Sequence, residues 1–126
     1  MSAVLDASAV LALVNGEPGA EVVASRLPGS VMSVANAIEV GTRLMDKGFS
    51  FQLAWDALDR LDIDLADLDS ALAFATTRLR DATRACGLSL ADRACLALAI
   101  RAGLPALTAD RAWASLDLPC RIELIR

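Results

Sequence analysis

The sequence predicts an α/β fold, a parallel β-sheet with helices packed over both faces. Three observations carry that expectation. Short apolar runs suited to buried strands alternate with segments of helical period along all 126 residues. Turn-forming pairs such as Asn15-Gly16, Pro18-Gly19 and Pro28-Gly29, and single glycines at 48, 87 and 103, separate the segments. The apolar fraction of 56% supports one substantial core and excludes a disordered chain. The length predicts a single domain over residues 1–126.

The elements follow in order. Ala3-Val4-Leu5 reads as a short buried strand ending near Asp6, followed by a helix through Val14 that Ser8 helps to start. Glu21 to Leu27 suits a short helix stopped by Pro28-Gly29, and Val31-Met32-Ser33 a second strand. Val34 to Lys47 reads as a helix closed by Gly48, with Ala37, Val40, Leu44 and Met45 at helical spacing. Ser50 caps a helix from Phe51 to Leu61 whose apolar face holds Leu53, Ala54, Ala57, Leu58 and Leu61. Asp62 to Leu65 alternates as an exposed strand would, and a longer helix runs from Asp69 or Ser70 to about Cys86. Ser89-Leu90-Ala91-Asp92 has the form of a capping box opening a helix to Ala102, with Gly103 at its end. Ala106-Leu107-Thr108 is a buried strand, Arg111 to Leu116 a brief helix, and Arg121 to Ile125 the last strand.

Composition removes several chemistries. With no histidine, serine and cysteine hydrolases of the triad type and histidine-ligated zinc sites are excluded. Cys86, Cys95 and Cys120 form no CxxC pair and read as small buried hydrophobes. The longest uncharged run, Leu27 to Ile38, is too short to span a membrane, and no basic residue precedes Arg26 as a secretion signal would require. A cytoplasmic protein is expected. The net charge of −4 argues against a general basic patch for nucleic acid, but not against an enzyme that meets phosphate through a divalent cation.

Carboxylates remain for catalysis. In open parallel sheets, ligands bind outside the carboxyl ends of the strands, where strand order reverses. Asp6 and Asp110 each follow a buried apolar strand and so belong to that rim, although each is also placed to cap the helix after it. Asp92 occupies the third position of its helix, where an acid after a serine cap is a common helix-start device. Glu39 lies between Ile38 and Val40; burying it demands a partner, and Arg43 one turn on offers a surface pair instead. If the four acids converge, carboxylates near 4 Å repel by roughly 4 kcal/mol per pair at an effective dielectric near 20, and the pocket needs a cation. Hard oxygen ligands suit Mg²⁺ or Mn²⁺, which support phosphodiester hydrolysis. The other acidic group, Asp56, Asp59, Asp62, Asp64, Asp67 and Asp69, has the spacing of a solvated surface.

These acids and their neighbours resemble the PIN-domain ribonucleases, most closely the VapC-like toxins of toxin–antitoxin modules. The carrying segments are Val4-Leu5-Asp6-Ala7-Ser8-Ala9, Ser33-Val34-Ala35-Asn36-Ala37-Ile38-Glu39-Val40, Gly87-Leu88-Ser89-Leu90-Ala91-Asp92-Arg93-Ala94 and Leu107-Thr108-Ala109-Asp110-Arg111-Ala112-Trp113. Their order and spacing run from Val4 to about Ile125. The resemblance implies a three-layer fold and a pocket of Asp6, Glu39, Asp92 and Asp110. Asp6 and Asp92 would be the firmest ligands of Mg²⁺ or Mn²⁺. Glu39 and Asp110 would complete the pocket, hold a second ion or orient the attacking water. Ser8, Asn36 and Thr108 would surround the pocket as supporting polar groups. The resemblance also implies an RNA substrate, homodimerisation and inhibition by a cognate VapB-like antitoxin. Arg43, Arg93 and Arg111 are the candidates for gripping RNA. The helices at Glu21 to Leu27 and Val34 to Lys47 are candidates for the antitoxin groove.

Two other phosphoryl-transfer classes place an aspartate after the first strand. A haloacid-dehalogenase-type phosphatase wants a second aspartate at position 8, which is Ser8; a receiver domain wants a late lysine, and the only lysine is Lys47. The remaining alternative is a catalytically silent module of the same fold that binds a protein partner.

Overall fold

The computed structural model describes residues 2–126. Chain order begins with β1 (Val4–Leu5), α1 (Ala7–Asn15), α2 (Ala20–Arg26), β2 (Val31–Ser33), α3 (Val34–Asp46) and α4 (Phe51–Asp59). It continues with β3 (Asp64–Ala66), α5 (Ser70–Arg78), α6 (Arg80–Thr83), a 3-10 turn (Arg84–Cys86) and α7 (Leu90–Ala102). It closes with β4 (Ala106–Thr108), a second 3-10 turn (Arg111–Ser115) and β5 (Ile122–Leu124). The five strands form one parallel sheet in the order β3-β2-β1-β4-β5. The chain therefore builds outward from β1 to β3, then crosses back to lay β4 on the other side of β1. The reversal falls between β1 and β4, where such sheets place ligands.

The pleat divides the core into two layers. Val4 and Ala106 face one side, while Leu5 and Leu107, their successors along paired strands, face the other. Leu5 and Leu107 join Val10, Val23, Met32, Val40 and Leu58 under α1–α4. Val4 and Ala106 join Leu72, Leu96, Leu98 and the fully buried Trp113 under α5 and α7. In α7 every residue from Ala94 to Ala99 is buried, because it packs against the sheet, α3 and α5 at once. Its alanines and Cys95 keep that crowded helix narrow. At Gly19, φ is +95° and an added Cβ would stand 2.7 Å from the Ile125 carbonyl oxygen, so only glycine lets the start of α2 approach the end of the sheet.

The three-layer α/β expectation holds, and several local ones change. The single helix expected to reach Cys86 is broken after Arg78 and again after Thr83. Thr76, Thr77 and Thr83 each donate a hydroxyl back to the carbonyl four residues earlier, which competes with a straight helix. Helix α4 stops at Asp59, and the positive φ of 54° at Asp62 turns the chain so that β3 starts only at Asp64. The buried face of α4 is Ala54 and Leu58, leaving Leu53 exposed; Met45 likewise points outward from α3. Ser8 does not start α1: it lies inside the helix with its hydroxyl turned to the strand ends. Of the cysteines, Cys95 alone is fully buried, and Cys86 and Cys120 are half-buried. Among the described residues no helix is long and apolar enough to cross a membrane.

Candidate functional site

Four elements bring the acids to one place. Asp6 follows β1, Glu39 lies in the second turn of α3, Asp92 in the first turn of α7, and Asp110 two residues beyond β4. All four line a single cleft of about 300 Å³ outside the carboxyl end of the sheet, together with Ser8, Leu11, Arg43 and Ser89. In sequence Ser89 reads as a helix cap alone, and Leu11 carries no mark of a site beyond its i,i+3 spacing from Ser8 on α1.

Asp6 is the most constrained member, with 3% of its surface exposed. Its Oδ2 accepts the Ser8 hydroxyl at 2.6 Å and the Thr108 hydroxyl at 2.8 Å. The same two hydroxyl oxygens accept the Ala109 and Asp110 amides at 2.9 and 3.0 Å. Parallel pairing of β1 with β4 makes this possible, since Leu5 opposite Leu107 sets Asp6 beside Thr108. On the other oxygen, Asn36 Nδ2 donates to Asp6 Oδ1 at 3.4 Å and to the Ala91 carbonyl at 3.2 Å, linking Asp6 to the first turn of α7. Asp6 occupies the N-cap position of α1 without capping it, so the capping alternative is removed.

The other three acids each combine a local tie with an oxygen left for the cleft. Asp92 Oδ2 accepts the Ser89 amide at 3.0 Å, while Ser89 Oγ accepts the Asp92 amide at 3.2 Å, the capping box in full. Asp110 Oδ1 accepts the Ala112 amide at 3.0 Å and caps the turn that follows. Glu39 Oε2 accepts Arg43 at 3.5 Å, but its Oε1 is buried with no hydrogen-bond partner. Capping and cleft-lining thus coexist at Asp92 and Asp110.

Electrostatics mark the cleft as poised. Burial, the largest cause, pushes the Asp6 pKa from 3.8 up to about 6; the Asp92 and Glu39 charges push the same way against the two hydroxyls. Burial and the Asp92 charge also raise Glu39, opposed by Arg43. Hard carboxylate oxygens, an unpartnered buried Glu39 oxygen and mutual repulsion together fit a hard divalent cation. Among the described residues no three acidic, histidine or cysteine side chains stand close enough to grip an ion as they are.

The candidate RNA-gripping arginines separate. Arg43 lines the cleft. Arg93 is turned away, donating to the Thr76 carbonyl of α5 at 3.2 Å, because its position on α7 faces the neighbouring helix rather than the sheet end. Arg111 also lies outside the cleft, donating to the Arg126 main-chain oxygen at 2.8 Å.

The PIN domain family matches residues 3–118. The chain belongs to the PIN domain family. Among solved structures, this PIN domain is similar over 100% of its length to 99% of a chain in the DNA-bound VapBC structure from Salmonella typhimurium, with TM-score 0.73 and 17% identity. A chain of VapBC2 from Rickettsia felis, bound to a DNA fragment from its promoter, gives TM-score 0.71 and 16% identity, with 98% of each chain covered. A chain of VapBC-5 from Mycobacterium tuberculosis, a member of a toxin–antitoxin family, gives 0.63 and 23%, covering 99% of this PIN domain and 98% of that chain. No curated protein matches this PIN domain by sequence.

Proposed function

We propose that this PIN domain is a Mg²⁺- or Mn²⁺-dependent endoribonuclease, the toxin of a toxin–antitoxin pair. The observation that carries this reading is the convergence of Asp6, Glu39, Asp92 and Asp110 on one cleft from elements 33, 53 and 18 residues apart in sequence. Similarity to chains of VapBC complexes supports the toxin role and a VapB-like antitoxin partner.

In this reading Asp6 and Asp92 hold the cation, and Glu39 and Asp110 complete its surroundings. Bound there, the cation supplies charge that neutralises a phosphodiester and acidifies a water. Ser8 and Thr108 hold Asp6 Oδ2, and Asn36 sets its distance from the start of α7. Glu39 Oε1, with its partner oxygen steadied by Arg43, orients the attacking water and takes up its proton. Water oxygen then bonds to phosphorus as the bond to the leaving sugar oxygen breaks, and that oxygen leaves with the bonding pair and takes a proton from solvent. Exposed Ile38 and Met45 on α3, Phe51 and Leu53 on α4, and Phe74 on α5 offer apolar surface for an antitoxin and a second copy of the chain.

The test is cleavage of a mixed RNA pool with Mg²⁺, with Mn²⁺ and with EDTA, by wild type and by Asp6→Asn and Asp92→Asn proteins shown to fold. Metal-dependent cutting lost in both variants is expected. Cutting that survives either variant, or none under any condition, transfers the weight to a silent interaction module.

A further inference from the structure

The acidic cleft has a basic neighbour. A second cleft, of about 430 Å³, shares Ser8, Leu11 and Arg43 with the first and continues past Asn15 to Lys47 and Arg126. Of the chain's 12 arginines and lysines, Arg43 alone lines the acidic cleft, so that cleft repels the phosphates on either side of a bond being cut. A nucleic-acid strand in the acidic cleft needs cations where it leaves, and the adjoining cleft carries three: Arg43, Lys47 and Arg126.

Against these three cations the second cleft holds two acids, Glu17 and Asp46, which leaves it a surplus of one positive charge, and Arg43 also pairs with Glu39 at 3.5 Å. Glu17 is already engaged by Arg126 at 3.3 Å and by Asn15 at 3.4 Å. Arg126 is held over the cleft by its bond to the Pro18 carbonyl at 2.8 Å, with Arg111 anchoring its main-chain oxygen. Asp46 is the remaining acid, beside Lys47 at the end of α3. Neither cleft is lined by an aromatic side chain, so bases find no stacking platform and recognition there falls on the backbone.

We propose that the cleft between Asn15, Arg43, Lys47 and Arg126 is a phosphate subsite that holds the RNA backbone next to the bond positioned in the acidic cleft. It rests on the ribonuclease reading and adds the direction of the strand: past Ser8 and Leu11 along α1 toward the end of α3. Lacking stacking, the grip is electrostatic and strongly salt-dependent.

The experiment measures fluorescence anisotropy of a labelled short single-stranded oligoribonucleotide across a salt series, with Asp6→Asn as the background so that nothing is cut. Adding Lys47→Ala is expected to weaken binding roughly fivefold at low salt, and Lys47→Glu further, with the salt slope falling by about 0.7 for each phosphate no longer neutralised. Arg126→Ala is expected to act in the same direction. Arg121→Ala, the same charge change on an exposed residue immediately before β5, is expected to leave affinity unchanged. Affinity and slope unchanged in both the Lys47 and Arg126 variants, or absence of binding, overturns the subsite. Because this reading needs no turnover, it fails separately from the nuclease reading, which the Asp6→Asn cleavage assay decides.

Discussion

Thr108 donates its hydroxyl to Asp6 across 102 residues of chain at 2.8 Å, and the Asp110 amide donates to the same hydroxyl oxygen at 3.0 Å. One threonine therefore couples the carboxylate after β1 to the loop after β4. Thr108 itself is fully buried. Thr108→Val preserves shape but removes the donor to Asp6 and the acceptor for Asp110. We expect a loss of about 1–3 kcal/mol in stability from the stranded amide. Cleavage efficiency is expected to fall roughly 10- to 100-fold, as when the support of a ligand is removed. Denaturant unfolding and kcat/KM measure the two separately.

Divalent cation should stabilise the fold through the same carboxylates. At a concentration about 100 times its Kd, Mg²⁺ is expected to add about 2.7 kcal/mol and raise Tm by several degrees. Asp6→Asn and Asp92→Asn are each expected to abolish most of that shift. A thermal melt with and without EDTA reads the effect without any substrate, and an undiminished shift in both variants would place the cation elsewhere.

Asp6 also makes a pH prediction for the metal-free protein. Its folded pKa of about 6 lies above the ordinary 3.8, so the unfolded state gives up the proton first as pH rises. The stability Asp6 contributes is fully present below 3.8 and is lost by about pH 6, a change of roughly 3 kcal/mol. Unfolding free energies of wild type and Asp6→Asn, compared in EDTA across that window, isolate the contribution; a constant difference between them would refute it.

Arg93 is expected to matter for stability and not for RNA. Its guanidinium ties α7 to α5 through the Thr76 carbonyl. Arg93→Ala is expected to cost about 1 kcal/mol in unfolding while leaving oligoribonucleotide affinity unchanged in the anisotropy assay. Weakened binding at unchanged stability would return Arg93 to the nucleic-acid surface.

The buried Trp113 anchors the layer beneath α5 and α7. Trp113→Ala is expected to destabilise the domain by about 3–5 kcal/mol, the range for emptying so large a core position. Trp113→Phe should cost less, because most of the volume is kept. Chemical denaturation of the two variants checks the order.

Features governed by short-range physics are legible in the chain before it folds. Buried strands announce themselves as apolar runs, glycines 87 and 103 end helices in left-handed conformation, and Ser50 and Ser89 cap where their spacing says they should. The place of Asp6 after one strand and Asp110 after another was legible for the same reason. Local pattern did not reveal where the helix after Asp69 breaks, because its threonine hydroxyls are polar on paper and bind back to the helix in space. Nor did it show that Leu53 and Met45 face outward, since helical spacing defines an apolar stripe but not its edge. Long-range packing sets β4 on the far side of β1, which draws Asp6 and Asp110 together and lets α3 and α7 add Glu39 and Asp92. Packing of α7 on α5 ties Arg93 to the Thr76 carbonyl, while Arg43 on α3 lines the cleft. Such contacts close loops of tens of residues, and their entropy is repaid by the packing of whole layers, not by any motif a local window contains.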